Sequence, residues 1–108
     1  MKMGFRVALV SDAGTPTISD PGFKFIHEAQ KDGIAVESLP GPCSVTVALS
    51  SSGFPSESYH FAGYLSKTVS ERENQLITVR NMGKTCVFFE SPNRIVRTLA
   101  TMREVFGD

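Results

Sequence analysis

The apolar positions in the first half of the chain predict two strands and two helices. Residues 5–12 and 34–39 are short, β-branched apolar runs typical of strands, and the first suits a strand buried on both faces. Apolar residues recur at helical spacing behind Asp20-Pro21, which predicts a helix with Asp20 as its N-cap. A run of small residues over 43–52 predicts the second helix.

The second half continues the alternation. Residues 59–65 and 85–90 predict a third and a fourth strand. Between them, Ser70 and Glu73 fit a capping box, in which the serine caps a helix and the glutamate follows three residues later. That helix is predicted to end near Asn81.

A regular apolar stripe marks the last helix. Ser91-Pro92 predicts its start, as a cap followed by a proline at the first helical position, and Gly107 predicts its end. The apolar residues expected on its buried face are Ile95, Leu99, Met102 and Phe106. Strands that alternate with helices in this order predict an α/β fold with a parallel sheet.

Composition excludes classes of function rather than naming one. The 108 residues carry 11 Lys plus Arg and 11 Asp plus Glu, so net charge gives no argument for nucleic acid or an anionic membrane. Cys43 and Cys86 form neither a disulfide framework nor a zinc site by themselves, and we interpret them as reduced thiols. No membrane span or secretory signal is recognisable, which predicts the cytoplasm, with an organellar matrix as the alternative.

Special residues concentrate where the predicted strands end. Residues 11–22 read Ser-Asp-Ala-Gly-Thr-Pro-Thr-Ile-Ser-Asp-Pro-Gly, and Gly14 lets the backbone approach a ligand closely. Residues 39–44, Leu-Pro-Gly-Pro-Cys-Ser, place a strand end before a helix N-terminus, which suits a carboxylate. Ligands of open α/β sheets bind at such strand ends. Both segments predict a small-molecule site, with ordinary rigid turns as the alternative.

Two later strand ends carry charged residues. Residues 61–67 combine a flexible loop with Lys67. Glu90 and Arg94 either face one cleft or pair with each other as a structural link. No spacing of His, Cys or carboxylates predicts a metal site, and no nucleophile–base arrangement can be assembled, so no residue is assigned as catalytic.

Taken together, the loop segments resemble one family. They are similar to the small-subunit ribosomal RNA cytidine 2′-O-methyltransferases, which belong to the tetrapyrrole (corrin/porphyrin) methylase superfamily. The segments that carry the resemblance are 7–22, 39–43, 63–65 and 89–94. The resemblance implies two α/β domains around a cofactor cleft. Residues 1–56 would be the C-terminal half of the first domain and residues 57–108 the N-terminal half of the second, so the fold would be incomplete at both ends.

The resemblance also implies roles for particular residues. S-adenosylmethionine would be bound by loop residues of both domains: Gly14, Thr15, Pro16, Ile18, Cys43, Ser44, Gly63 and Tyr64. The substrate side would be lined by Lys67, Arg72, Glu90 and Arg94. The chain departs from the family at Ser66, where a proline is usual, and in having only two basic residues in the loop that follows.

By resemblance, the whole protein would transfer a methyl group from S-adenosylmethionine to a ribose 2′-hydroxyl of small-subunit rRNA. Its partners would be that rRNA or the ribosomal subunit, and a second copy of the chain in a homodimer. Two alternatives stay open. One is a methylase of a tetrapyrrole or another small acceptor. The other is a truncated, inactive form that binds cofactor weakly or self-associates through unpaired sheet edges.

Overall fold

The computed structural model describes residues 3–108, which form four helices and two strands. In chain order these are α1 (Phe23–Lys31), α2 (Ser44–Ser52), β1 (Tyr59–Tyr64), α3 (Val69–Asn81), β2 (Thr85–Phe89) and α4 (Ile95–Phe106). Strands β1 and β2 pair in parallel, and α3 makes the crossover between them. This strand–helix–strand unit confirms the predicted α/β class.

The chain divides into two compact units, Met1–Val47 and Ala48–Asp108. The predicted domain boundary at residues 56 and 57 stays a prediction. Among the helices of the described residues, none is long and apolar enough to cross a membrane.

In the unit Ala48–Asp108, α3 packs against α4, and apolar residues of α3 are buried. Leu76 has no exposed surface, and Val79 and Leu65 are 6% and 4% exposed. Arg72, one turn before Leu76, is 2% exposed. A buried guanidinium requires hydrogen-bond acceptors around it, so this core is partly polar.

The predicted buried face of α4 is wrong. Its four apolar members are exposed or half-buried: Ile95, Leu99, Met102 and Phe106. The buried residues are Thr98 and Thr101, at 2% and 5% exposure. The reason is the guanidinium of Arg72, which donates to the Thr101 hydroxyl at 3.1 Å. The polar partner that Arg72 requires decides which face of α4 turns inward.

In the unit Met1–Val47, the two predicted strands are wrong for the residues described. No backbone hydrogen bond joins residues 5–12 or 34–39 to a neighbouring strand within 3–108. Val7 and Val10 are 57% and 81% exposed, so the first run is not buried on both faces. An apolar β-branched run becomes a strand only where a partner completes the hydrogen-bonded ladder.

Two predicted helix caps are also wrong. Helix α1 begins at Phe23 with Gly22 as its N-cap, at φ 123°, so Asp20 lies outside the capping position. Helix α3 begins one residue before Ser70, and its N-cap Thr68 makes no side-chain capping bond. Backbone geometry at Gly22 and bonds in the loop before α3 replace the expected side-chain caps.

The last helix starts later than predicted and ends as predicted. The Ser91 carbonyl accepts the N–H groups of Arg94 and Ile95 at 3.0 and 3.1 Å, so Ser91 begins a turn that leads into α4 at Ile95. Gly107 is the C-cap, with φ 84°, which confirms it as the stop.

Candidate functional site

The first predicted ligand loop, residues 11–22, has an unusual backbone. Gly14 adopts φ 80°, and two residues that are not glycine, Thr17 and Ser19, adopt φ 74° and 54°. Such residues are strained by about 1–3 kcal/mol each and occur mainly at functional sites. The loop therefore holds a conformation that its own residues disfavour.

The second predicted loop lies directly against the first. The Thr15 hydroxyl donates to the Pro42 carbonyl at 3.2 Å. A Cβ atom on Gly14 would lie 3.4 Å from the same carbonyl oxygen, at the close end of ordinary contact, and the φ of 80° at this position favours glycine. The two loops that the sequence predicted separately thus form one surface in the unit Met1–Val47.

Cys43 and Ser44 lie where the second loop enters α2. Helix α2 begins at Ser44, and the Cys43 carbonyl accepts the Val47 N–H at 3.1 Å. Hydrogen bonds from the backbone of Thr46 and Val45 lower the pKa of the Cys43 thiol below its ordinary value. The dipole of a helix favours anions at its N-terminus, so this position suits a carboxylate.

In the unit Ala48–Asp108, Gly63 and Tyr64 lie at the carboxyl end of β1. The pairing register shifts between Phe61 and Gly63, where Gly63 adopts φ 66°. This bulge aligns Tyr64 with Phe89 of β2, and their ring centroids are 5.6 Å apart. Tyr64 is 56% exposed, so it presents an aromatic surface at the strand end. Bulges of this kind often redirect side chains beside active sites.

Glu90 and Arg94 pair with each other. The Glu90 Oε2 atom lies 3.3 Å from Arg94 Nη2, and the side chains are 6% and 20% exposed. Glu90 also accepts the Thr98 hydroxyl at 2.6 Å and the Ser91 N–H at 2.8 Å. Of the two interpretations left open by the sequence, the link between the two residues is the one present in the structure; a further role toward substrate stays a prediction.

The pKa of the Glu90 carboxyl reflects opposing effects. Burial by itself would raise this pKa, but the hydrogen bonds from Thr98 and Ser91 and the charges of Arg94 and Arg72 outweigh it, and the pKa is lowered. Glu90 is therefore a carboxylate held by donors, not a proton donor near neutral pH.

Arg72 and Lys67 differ sharply in exposure. Arg72 is 2% exposed, and its Nη1 atom donates to the carbonyls of Ser66 and Lys67 at 3.4 and 3.5 Å. Lys67 is exposed. Sequence reasoning missed Thr98 and Thr101, the partners of Glu90 and Arg72. Their spacing of three residues places them on one face of α4 and could have indicated a polar buried face. The apolar stripe on the neighbouring face is the stronger sequence pattern.

The structure also contains a cavity that the sequence did not predict. It has a volume of about 310 Å³ and lies between β1 and α3, lined mainly by apolar side chains with His60 and Gln75 at its wall. None of the predicted cofactor residues lines it. In residues 3–108, no group of His, Cys, Asp or Glu is arranged to hold a metal ion.

A parallel strand–helix–strand unit accompanied by glycine-containing loops defines an α/β protein. The chain belongs to the tetrapyrrole (corrin/porphyrin) methylases, since residues 2–108 match the model of that family.

Relatives with a more specific name support this assignment. The chain is 46% identical, over 96% of its length, to the ribosomal RNA small subunit methyltransferase I of Vibrio cholerae and to that of Pseudomonas aeruginosa. It is 42% identical over its full length to the protein of that name in Thermotoga maritima. The chain spans 36%, 37% and 48% of these three relatives, respectively.

Proposed function

We propose that the chain is the cofactor-binding part of an S-adenosylmethionine-dependent methyltransferase that acts on a ribose 2′-hydroxyl of small-subunit rRNA. Family membership supports methyl transfer. The names of the relatives favour rRNA over a tetrapyrrole as the acceptor. The reaction would take place where ribosomal subunits are assembled, in the cytoplasm, and the working form would be a homodimer.

The contact between the two loops of the unit Met1–Val47 is the observation that carries this proposal. The close approach of Gly14 and Thr15 to Pro42 builds a surface of backbone groups and hydroxyls. This donor set fits S-adenosylmethionine, which offers ribose hydroxyls, a carboxylate and an adenine ring. The start of α2 suits the carboxylate, and Ile18, 49% exposed, offers apolar surface to the adenine.

The assignment of residues is the one that the resemblance implies. The first loop would contribute Gly14, Thr15, Pro16 and Ile18, and the second Cys43 and Ser44. The resemblance adds Gly63 and Tyr64 as further candidate cofactor residues.

When bound, S-adenosylmethionine supplies an electrophilic methyl group on its sulfonium. The part of the protein is then to hold cofactor and ribose in line, which by itself lowers a reaction barrier substantially. Lys67 is exposed and would contact an RNA phosphate. Glu90, Arg94 and Arg72 would shape the substrate side around it. No residue is assigned as the base that takes the hydroxyl proton.

Titration calorimetry with S-adenosylmethionine tests the cofactor site in the 108-residue chain. We expect micromolar binding, and we expect Gly14→Val to weaken it about tenfold or more, since the added carbons push against the Pro42 carbonyl. Gly33→Val is the matched control. Gly33 has a similar φ of 73°, but a Cβ atom added there would have no neighbouring atom within 4 Å, so binding should be unchanged.

Two results would contradict the proposal. Absence of binding to the parent chain at millimolar S-adenosylmethionine would exclude the cofactor site. Equal weakening by both valine substitutions would mean that general strain, and not the contact between the loops, controls affinity. Transfer of a labelled methyl group to small-subunit rRNA, set against transfer to a tetrapyrrole, then decides the acceptor.

A further inference from the structure

We propose that Arg72 and Arg94 are positioning residues that hold the loop between β1 and α3, residues 65–68, in one conformation. They would act on RNA through the exposed Lys67 of that loop and not by touching RNA themselves. The part of this proposal that concerns RNA rests on the proposed function. The part that concerns the loop stands on the hydrogen bonds alone.

Two guanidinium groups hold three successive carbonyls of the loop. Arg94 Nη2 donates to the Leu65 and Ser66 carbonyls at 2.9 and 3.2 Å. Arg72 Nη1 donates to the Ser66 and Lys67 carbonyls at 3.4 and 3.5 Å. A charged donor strengthens a short hydrogen bond, so the 2.9 Å bond from Arg94 is the strongest on this side of the loop, and Arg72 adds two longer, weaker bonds.

The other side of the loop is held by α3. The Ser66 N–H donates to Gln75 Oε1 at 2.9 Å, a bond that a proline at this position would lack. The Ser66 hydroxyl donates to the Glu71 carboxylate and accepts the Thr68 N–H. Backbone and side chain of Ser66 are therefore both engaged, which leaves the loop little conformational freedom.

The side chains of the two arginines are themselves held by other residues of the unit. Arg72 Nε donates to the Thr101 hydroxyl at 3.1 Å, and Arg94 lies 3.3 Å from the Glu90 carboxylate. All buried side-chain nitrogen and oxygen atoms in residues 3–108 have partners. With 2% of its surface exposed, Arg72 cannot reach a phosphate unless the loop opens, whereas Lys67 already faces solvent.

Cleavage by a lysine-specific endoproteinase measures how well the loop is held, without any need for activity. Cleavage after Lys67 reports opening of the loop, and cleavage after Lys84, in the exposed turn before β2, gives a reference rate that also rises if the unit unfolds. We expect Arg72→Met to raise the Lys67 rate relative to the Lys84 rate by about tenfold, since it removes charged hydrogen bonds from a local structure. Arg72→Lys, which keeps a cationic donor, should restore part of the protection after Lys67, and cleavage at the lysine introduced at position 72 gives a different fragment that is counted separately.

Arg80→Met is the matched control. Arg80 is on the same helix and donates to the Val105 carbonyl at 3.0 Å, away from the loop. The ratio of the two rates should stay at the parent value in this variant.

An unchanged ratio of the Lys67 rate to the Lys84 rate in Arg72→Met would overturn the proposal. If Arg72→Met unfolds the unit and both rates rise, Thr101→Val decides, because it keeps the guanidinium and removes its Nε acceptor, together with a bond inside α4 from Thr101 to the Arg97 carbonyl. A smaller rise in the ratio supports the proposal, and no rise overturns it.

Salt-dependent binding to deproteinised small-subunit rRNA tests whether Arg72 acts through Lys67. Each lost phosphate contact reduces the slope of log affinity against log salt by about one. We expect Lys67→Met and Arg72→Met each to reduce the slope by about one, and the double variant to reduce it no further. A double variant that loses about two would show that Arg72 contacts RNA directly and would overturn the positioning role. A parent chain that binds no rRNA would contradict the proposed function. The proteolysis experiment would still test whether the arginines hold the loop.

Discussion

The two units of the chain are built differently. The unit Ala48–Asp108 contains the parallel strand pair, with Leu76 wholly buried and an arginine inside its core. In the unit Met1–Val47, the buried hydrophobic residues among those described are Ala29 and Val45, both small. Its distinctive features are loops with left-handed backbone at Thr17 and Ser19.

The difference separates two ways of holding a functional loop. In Ala48–Asp108, charged side chains fix the loop after β1 from a packed core. In Met1–Val47, two loops hold each other through the Thr15–Pro42 bond with little core beneath them. Segments with few buried contacts open at low free energy, which suits a surface that closes on a ligand. We therefore expect cofactor to stabilise the first unit more than the second.

The largest effect on the free energy of unfolding is expected when one apolar side chain in each unit is truncated to alanine. Leu76→Ala should lower the free energy of unfolding by about 2–5 kcal/mol, because it leaves a cavity in a fully buried site. Val10→Ala, at a residue 81% exposed, should change it by less than about 0.5 kcal/mol. Urea unfolding followed by circular dichroism measures both. A comparable loss in the two variants would show that Met1–Val47 has a core that the exposed surface of Val10 does not reveal.

The same contrast explains what the sequence could predict of the fold. The positions of β1, α3 and β2 agree with the predictions to within one or two residues, because the unit supplies both strands of the ladder and the helix between them. Residues 5–12 have an equally strong strand pattern. Their pattern shows the preference of the residues, but pairing depends on a partner that residues 3–108 do not provide.

The candidate site was predictable where it is made of backbone. Glycine, proline and hydroxyl residues at predicted strand ends indicated both loops of Met1–Val47, and the structure places Thr15 against Pro42. The surroundings of Arg72 could not be predicted in this way. Arginine is rarely buried, and its burial here depends on Thr101, which is 29 residues distant along the chain. The periodicity of α4 favoured burial of its apolar stripe. The buried guanidinium of Arg72 requires a hydrogen-bond acceptor, and Thr101 is buried instead.

A smaller effect is expected from two of the carboxylate ion pairs, one taken from each unit. Glu90 is 6% exposed beside Arg94, whereas Glu28 is 65% exposed and lies 3.9 Å from Lys31. Glu90→Gln should lower the free energy of unfolding by about 1–3 kcal/mol, since the Arg94 guanidinium loses its charged partner. Glu28→Gln should change it by less than about 0.5 kcal/mol, as for other exposed pairs.

The pH dependence of stability sharpens this test. The pKa of Glu90 is lowered from its ordinary value of 4.5 in the folded state, so its ionised form stabilises the fold above that pH. This stability is lost as the pH falls below 4.5 through the folded-state pKa. Urea unfolding at a series of pH values should show the loss in the parent chain and a shallower acid dependence in Glu90→Gln. Equal acid dependence in the two would mean that Glu90 does not contribute through its charge.

The smallest effect is a difference in reactivity between the two cysteines, one in each unit. Hydrogen bonds from the backbone of Thr46 and Val45 lower the pKa of Cys43, whereas burial raises the pKa of Cys86. Because the thiolate is the reacting form, we expect iodoacetamide to alkylate Cys43 severalfold faster near neutral pH. The single-thiol variants Cys86→Ser and Cys43→Ser allow each rate to be followed by mass spectrometry across pH.

Added S-adenosylmethionine turns this reactivity into a test of the difference between the units. If the cofactor covers the start of α2, it should slow the alkylation of Cys43 and leave that of Cys86 unchanged. Equal slowing of the alkylation of both thiols would indicate that the ligand tightens the whole chain. Equal alkylation rates with equal pH midpoints in the absence of ligand would contradict the expected difference between the two thiols. Protection confined to Cys43 would locate the ligand on the loops that hold each other, in the unit with little core.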